Sequence, residues 1–153
     1  MSYFDQAFTA LQPYLKTGKI KTFATTEEVF PGVTAELHPG HTPGSAFYTL
    51  RSHGQEIVFV EDIIHVAAVL APDTLITITY DVDPAMAVAV RQQALATFAD
   101  RRTLVAVPHL PFPGVGHFRR MGTGFEWVPV AYSNREVGSE SSFADPHKNG
   151  DKE

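Results

Sequence analysis

The chain has 153 residues, 44% of them hydrophobic and 19% charged, enough for one domain with a sizeable core and too apolar for wholesale disorder. A net charge of −5 without a basic stripe argues against nucleic acid as the main partner, and the apolar runs are too short to span a bilayer. There is no cysteine, so disulfides and thiolate metal ligands are excluded, while seven histidines leave imidazole chemistry open. No charged start leads into an apolar stretch, so a secretory signal is not expected and the cytoplasm is the expected location.

The first element reads as a helix, with Phe4, Phe8, Leu11 and Leu15 on one face, Ser2 as its cap, Gly18 as its stop and Pro13 placed to end or kink it. A short extended piece is expected around Ile20 to Ala24, then a turn at Phe30-Pro31-Gly32. Strands are expected at Val33 to Leu37, Ala46 to Leu50 and Ile57 to Val60, the last two joined by a hairpin turn at Ser52-His53-Gly54-Gln55. Ile63 to Leu70 is apolar but of ambiguous type, and Leu75 to Tyr80 alternates as a short strand or an extended loop would. The clearest element is a helix capped by Asp83, with Pro84 in its first turn, Ala87, Val90, Ala94 and Phe98 on one face, and Asp100-Arg101-Arg102 at its end. A buried strand at Thr103 to Val107 leads to Pro108-His109 and a loop over residues 112–116. A closing hairpin, His117 to Met121 and Phe125 to Val130, turns at Gly122-Thr123-Gly124. Residues 1–132 thus form one domain, and residues 133–153 are polar and read as a flexible tail.

Three segments share one layout, each placing an acid or an imidazole where a strand gives way to a loop. Pro39-Gly40-His41-Thr42-Pro43-Gly44 follows the strand at Val33, Glu61-Asp62 follows Ile57 to Val60, and His109 follows Thr103 to Val107. Loops held by rigid strands are where binding groups concentrate, and imidazole nitrogen with carboxylate oxygen suits a zinc-like ion. The separations are too wide to be diagnostic. Each residue also has a plain structural reading: a turn histidine, a capping aspartate, a loop histidine between prolines.

The run Gly40-His41-Thr42-Pro43-Gly44 resembles the GHTPG loop of metallo-β-lactamase-fold hydrolases. Glu61-Asp62-Ile63-Ile64-His65 resembles that family's Gly-Asp turn, and His109-Leu110-Pro111-Phe112-Pro113-Gly114 its last histidine loop. With Trp127-Val128-Pro129-Val130 close behind, the pattern is nearest the methyl parathion hydrolase and quorum-quenching lactonase branch. The resemblance covers roughly Phe4 to Tyr132 and implies an α/β (α+β) fold. That fold would be a partial αββα sandwich, mainly one mixed sheet with helices on its outer face. It implies that His41 binds one metal ion, Asp62 bridges two and acts catalytically, and His109 binds the second. Zinc or another divalent transition metal would activate water against an ester, lactone or phosphotriester. His65, Glu61 and Phe112 are placed near the site or its pocket; Phe30 and Trp127 are further pocket candidates.

The family's HxHxDH stretch, which supplies most remaining ligands, is not found in the 153 residues. Glu61 stands where glycine is usual, and Ser45 where a second histidine is common. The expectation is therefore a C-terminal half, inactive or weakly metal-binding alone, whose inner sheet face lacks its partner. A homodimer pairing sheet to sheet would cover that face. The alternative is a metal-free interaction or dimerisation module that kept the loops. Small-molecule substrates are expected if the chain is active, and neither nucleic acid nor membrane is an expected partner.

Overall fold

The computed structural model describes residues 3–132. The expected tail at 133–153 and the Ser2 cap lie outside the described residues. Helix α1 (Tyr3–Lys16) forms where the apolar stripe predicts it and runs through Pro13 to its last turn. It buries none of its residues; Phe4 and Phe8 are 86% and 58% exposed. No helix among the described residues is long and apolar enough to cross a membrane.

Among the described residues seven strands follow: β1 (Thr26–Phe30), β2 (Val33–Leu37), β3 (Ala46–Ser52), β4 (Gln55–Phe59), β5 (Val105–Ala106), β6 (Val115–Met121) and β7 (Gly124–Pro129). They build one mixed sheet in sequence order, antiparallel except for the parallel pair β4–β5. A short helix α2 (Ala67–Leu70) and the long helix α3 (Pro84–Arg101) fill the crossover between β4 and β5. The expected strands at Val33, Ala46 and Ile57 and the closing hairpin are found within a few residues of their limits.

Helix α3 starts where Asp83 Oδ1 accepts the Met86 N–H at 2.9 Å, with Pro84 supplying a preset φ to the first turn. It ends as Arg102 turns left-handed at φ 54°. Its buried stripe is Ala87, Arg91, Ala94, Leu95 and Phe98. Ala94, Leu95 and Phe98 of that stripe meet Phe47, Val58, Val105 and Phe118 in a core on one face of the sheet. Burying each such leucine, valine or phenylalanine side chain contributes about 1.5–3 kcal/mol.

Among the described residues, the buried core packs on one face of the sheet only, and the opposite face is left partly exposed. Cross-strand partners share a face, so Tyr48 with Phe59, Leu50 with Ile57, and Ala106 with Phe59 and Val115 line it together. Phe59 there is 45% exposed and Leu50 38%.

Candidate metal centre

Alternating antiparallel pairing makes β2 and β4 run in the same direction, and β5 runs parallel to β4. Their carboxyl ends therefore lie at one end of the sheet, where open α/β sheets place ligands. His41 is in the loop after β2, Asp62 and His65 are in the turn after β4, and His109 is in the loop after β5. Direction and register of three strands thus gather residues far apart in sequence.

The four side chains meet around the Asp62 carboxylate. Oδ2 of Asp62 is 3.3 Å from Nε2 of His41, and Oδ1 is 2.9 Å from Nε2 of His109. The His65 ring stacks on His109, centroids 4.4 Å apart, and tilts against His41 at 5.3 Å. Ligand atoms of His41, Asp62 and His65 all lie within 4.8 Å of one another. The expected ligands are brought together. His65, expected only beside the site, is as close to its centre as they are. Burial, and next the neighbouring His109, push the His65 imidazole below its ordinary value, while Asp62 pulls it back up. Its Nδ1 is buried without a hydrogen-bond partner. A buried polar atom in that condition is costly unless something binds it.

The second ring nitrogen of His41 is also engaged. Nδ1 lies 3.0 Å from Oδ1 of Asp81, whose other oxygen accepts the Ile78 N–H at 3.1 Å. Behind Asp81 sits Arg91, wholly buried, with Nη2 at 3.9 Å from Oδ2. Arg91 donates to the carbonyls of Ile63 (2.7 Å), Thr74 (3.1 Å) and Ile76 (2.6 Å). Sequence reasoning missed both residues. Asp81 stands just after the stretch Leu75 to Tyr80 that reads for its alternation, and Arg91 occupies a stripe position where an apolar side chain is usual.

Glycine at position 40 lets the His41 loop approach the start of α3. The backbone of Gly40 is left-handed at φ 145°, and a Cβ there would lie 2.6 Å from the amide nitrogen of Ala87. The carbonyls of Gly40 and His41 accept the N–H groups of Asp83 (2.9 Å) and Val82 (3.0 Å), which seals the contact. Gly40→Ala is expected to cost about 1–3 kcal/mol in urea unfolding through overpacking alone, more with the backbone strain. A loss under roughly 0.5 kcal/mol would contradict this close approach.

The remaining candidates fall elsewhere. Glu61 and Phe112 line a cavity of about 600 Å³ with Tyr48, Phe59, Leu110 and Val115, on the uncovered side of the sheet. Phe112 is largely exposed and meets Tyr132 edge-on at 4.9 Å. Trp127 lines a second, mostly apolar cavity that reaches His65 and His109. Phe30 is an exposed residue of the edge strand β1. His38 stacks on Phe47, Ser45 is buried in its tight loop, and Nδ1 of His117 faces the Thr103 carbonyl at 2.9 Å.

No family model matches the sequence, and no curated protein matches it. Solved structures do. The hydrolase AbOPH, of the β-lactamase superfamily, is 34% identical with a TM-score of 0.79, over 85% of this chain and 45% of that one. AidC, a dizinc quorum-quenching lactonase solved with a product, is 32% identical with a TM-score of 0.74, again over 85% of this chain and 45% of its own. A probable metal-dependent hydrolase from Staphylococcus aureus, 23% identical over 60% of this chain and 32% of that one, shares the fold with a TM-score of 0.52. The chain thus spans under half the length of the first two.

Proposed function

We propose that this chain, whose α+β fold is that of part of a metallo-β-lactamase-superfamily hydrolase, carries one portion of a divalent-metal site for hydrolysing ester, lactone or phosphotriester bonds. One observation carries the reading: each oxygen of the Asp62 carboxylate faces the Nε2 of a different histidine. An ionised carboxylate and an unprotonated imidazole nitrogen are both electron-pair donors. Facing one another so closely, they need a cation between them, either a proton or a metal ion.

His41, Asp62 and His109 are the residues we assign to hold metal, with the carboxylate shared, and His65 within reach as a further nitrogen. Two imidazoles and a carboxylate match the ligand chemistry of zinc and related divalent ions. A bound ion of this kind supplies Lewis acidity and makes water nucleophilic near neutral pH. The chain's own residues orient the reactants. Asp62 spans the two histidines, and the apolar cavity reaching His65 and His109, with Val66, Pro111 and Phe125 in its wall, suits the apolar part of a small ester or lactone. A complete two-ion site needs more ligands than these, so the chain alone should bind metal weakly and turn over little. The segment or second copy that completes the site would also cover the open sheet face.

Zinc per chain, by elemental analysis after gel filtration in metal-supplemented buffer, tests the reading. About one ion per chain is expected, falling to near zero in His41→Ala. A wild-type protein that emerges zinc-free, or an unchanged ratio in His41→Ala, would remove the basis for the hydrolase assignment.

A further inference from the structure

We propose that Asp81 is a positioning residue that fixes the tautomer and heading of His41, with Arg91 holding Asp81 in place. The inference builds on the assignment of His41 as a metal ligand, but its central claim concerns the proton on one ring nitrogen.

The Asp81 side chain is completely buried. Oδ1 lies 3.0 Å from Nδ1 of His41, while Oδ2 accepts the Ile78 N–H and faces the Arg91 guanidinium. An ionised carboxylate can only accept hydrogen bonds, so in this pair Nδ1 carries the proton and donates it. In the neutral ring Nε2 is then left with its lone pair, and Nε2 is the nitrogen aimed at Asp62. A histidine without this partner populates both tautomers, and one of them puts a hydrogen where a metal should sit. Hydrogen bonding at the far nitrogen also stops the ring from rotating about its own bond. Carboxylates paired with metal-binding histidines in this way typically alter affinity by 10–100-fold.

Arg91 makes the arrangement rigid. A buried carboxylate needs a counter-charge, and the guanidinium supplies one without being free to swing, because three backbone carbonyls hold it. One of these belongs to Ile63, the residue next to Asp62. The same buried side chain therefore ties the turn bearing Asp62 to the loop bearing Asp81. A polar residue in the middle of an apolar helix stripe has here a specific use: it sets two candidate ligands at a fixed angle to one another.

Long-range proton–nitrogen spectra of the metal-free protein in alkaline buffer read the tautomer directly. His41 is expected as the Nδ1–H form. In Asp81→Asn the amide oxygen is drawn to the Ile78 N–H and Arg91, so the NH₂ group faces Nδ1 and the ring proton moves to Nε2. The variant should show that shift at His41 alone, with His38 and His117 unchanged, and should bind zinc about 10–100-fold more weakly in chelator competition. A wild-type His41 carrying its proton on Nε2 overturns the proposal, as does an Asp81→Asn protein that keeps the wild-type tautomer. If the variant does not fold, the wild-type spectrum decides alone. Wild-type protein that takes up no zinc would defeat the metal assignment while the spectrum still judges the role of Asp81.

Discussion

Replacing Arg91 with alanine is expected to remove about 3–5 kcal/mol of folding stability, a large share of what a domain of this size has. The residue is fully buried, so no water replaces the lost guanidinium. Its removal leaves the carbonyls of Ile63, Thr74 and Ile76 without that donor and the Asp81 carboxylate without its counter-charge. Any such buried group costs far more unpaired than the pair contributes when intact. Burial pushes the guanidinium pKa down and Asp81 pushes it back up, so the two residues depend on each other. Arg91→Lys should fall between the two, because an ammonium keeps the charge but cannot reproduce the fork of bonds to three carbonyls. Urea unfolding followed by circular dichroism measures both. A loss near 1 kcal/mol for Arg91→Ala would mean that water reaches the site, against the burial described.

The second large effect is on metal. Asp62→Ala should weaken zinc binding by at least about 100-fold, beyond the range expected for a change outside the ligands. Asp62 is the only carboxylate that touches both His41 and His109 among the described contacts. Without it the remaining nitrogens have no shared anion to offset the charge of the ion. Its side chain is 37% exposed and joins no core cluster, so stability should change little. Zinc competition alongside thermal unfolding separates the outcomes: a variant that binds zinc normally would show that Asp62 is only a turn residue.

Much of the architecture was legible because period and punctuation agree. Asp83 followed by Pro84 marked the start of α3, alternation marked β2, and Gly122-Thr123-Gly124 marked the turn of the β6–β7 hairpin. β1 was not legible: Thr26-Glu27-Glu28-Val29-Phe30 is an edge strand with almost every side chain exposed, so burial imposes no alternation on it. The extended piece expected at Ile20 to Ala24 does not join the sheet, whose first strand starts at Thr26. Leu75 to Tyr80 left strand and loop open, and it is a loop, because Arg91 rather than a neighbouring strand takes the carbonyl of Ile76. The strand expected at Thr103 to Val107 narrows to Val105–Ala106 as a ladder, although Leu104 and Val107 each keep a backbone bond to a neighbour. Around the centre, His41, Asp62 and His109 could be read from three strand ends. Asp81 could not, since nothing local marks an aspartate whose partner is forty positions away.

The parallel pairing of β4 with β5 also orders how the molecule comes together. The strands from β1 to β4 are joined by short turns and loops, and β6–β7 is a tight hairpin, so these units close over small chain distances. Asp62 and His109 are separated by 47 positions, and the crossover containing α3 must dock before they can meet. Long-range closure costs chain entropy before any contact compensates it, so it is the slow part of such topologies. The His41–Asp62–His109 cluster is therefore expected to be completed late in folding, and uptake of metal during refolding would then report the docking of α3 rather than the formation of the early hairpins.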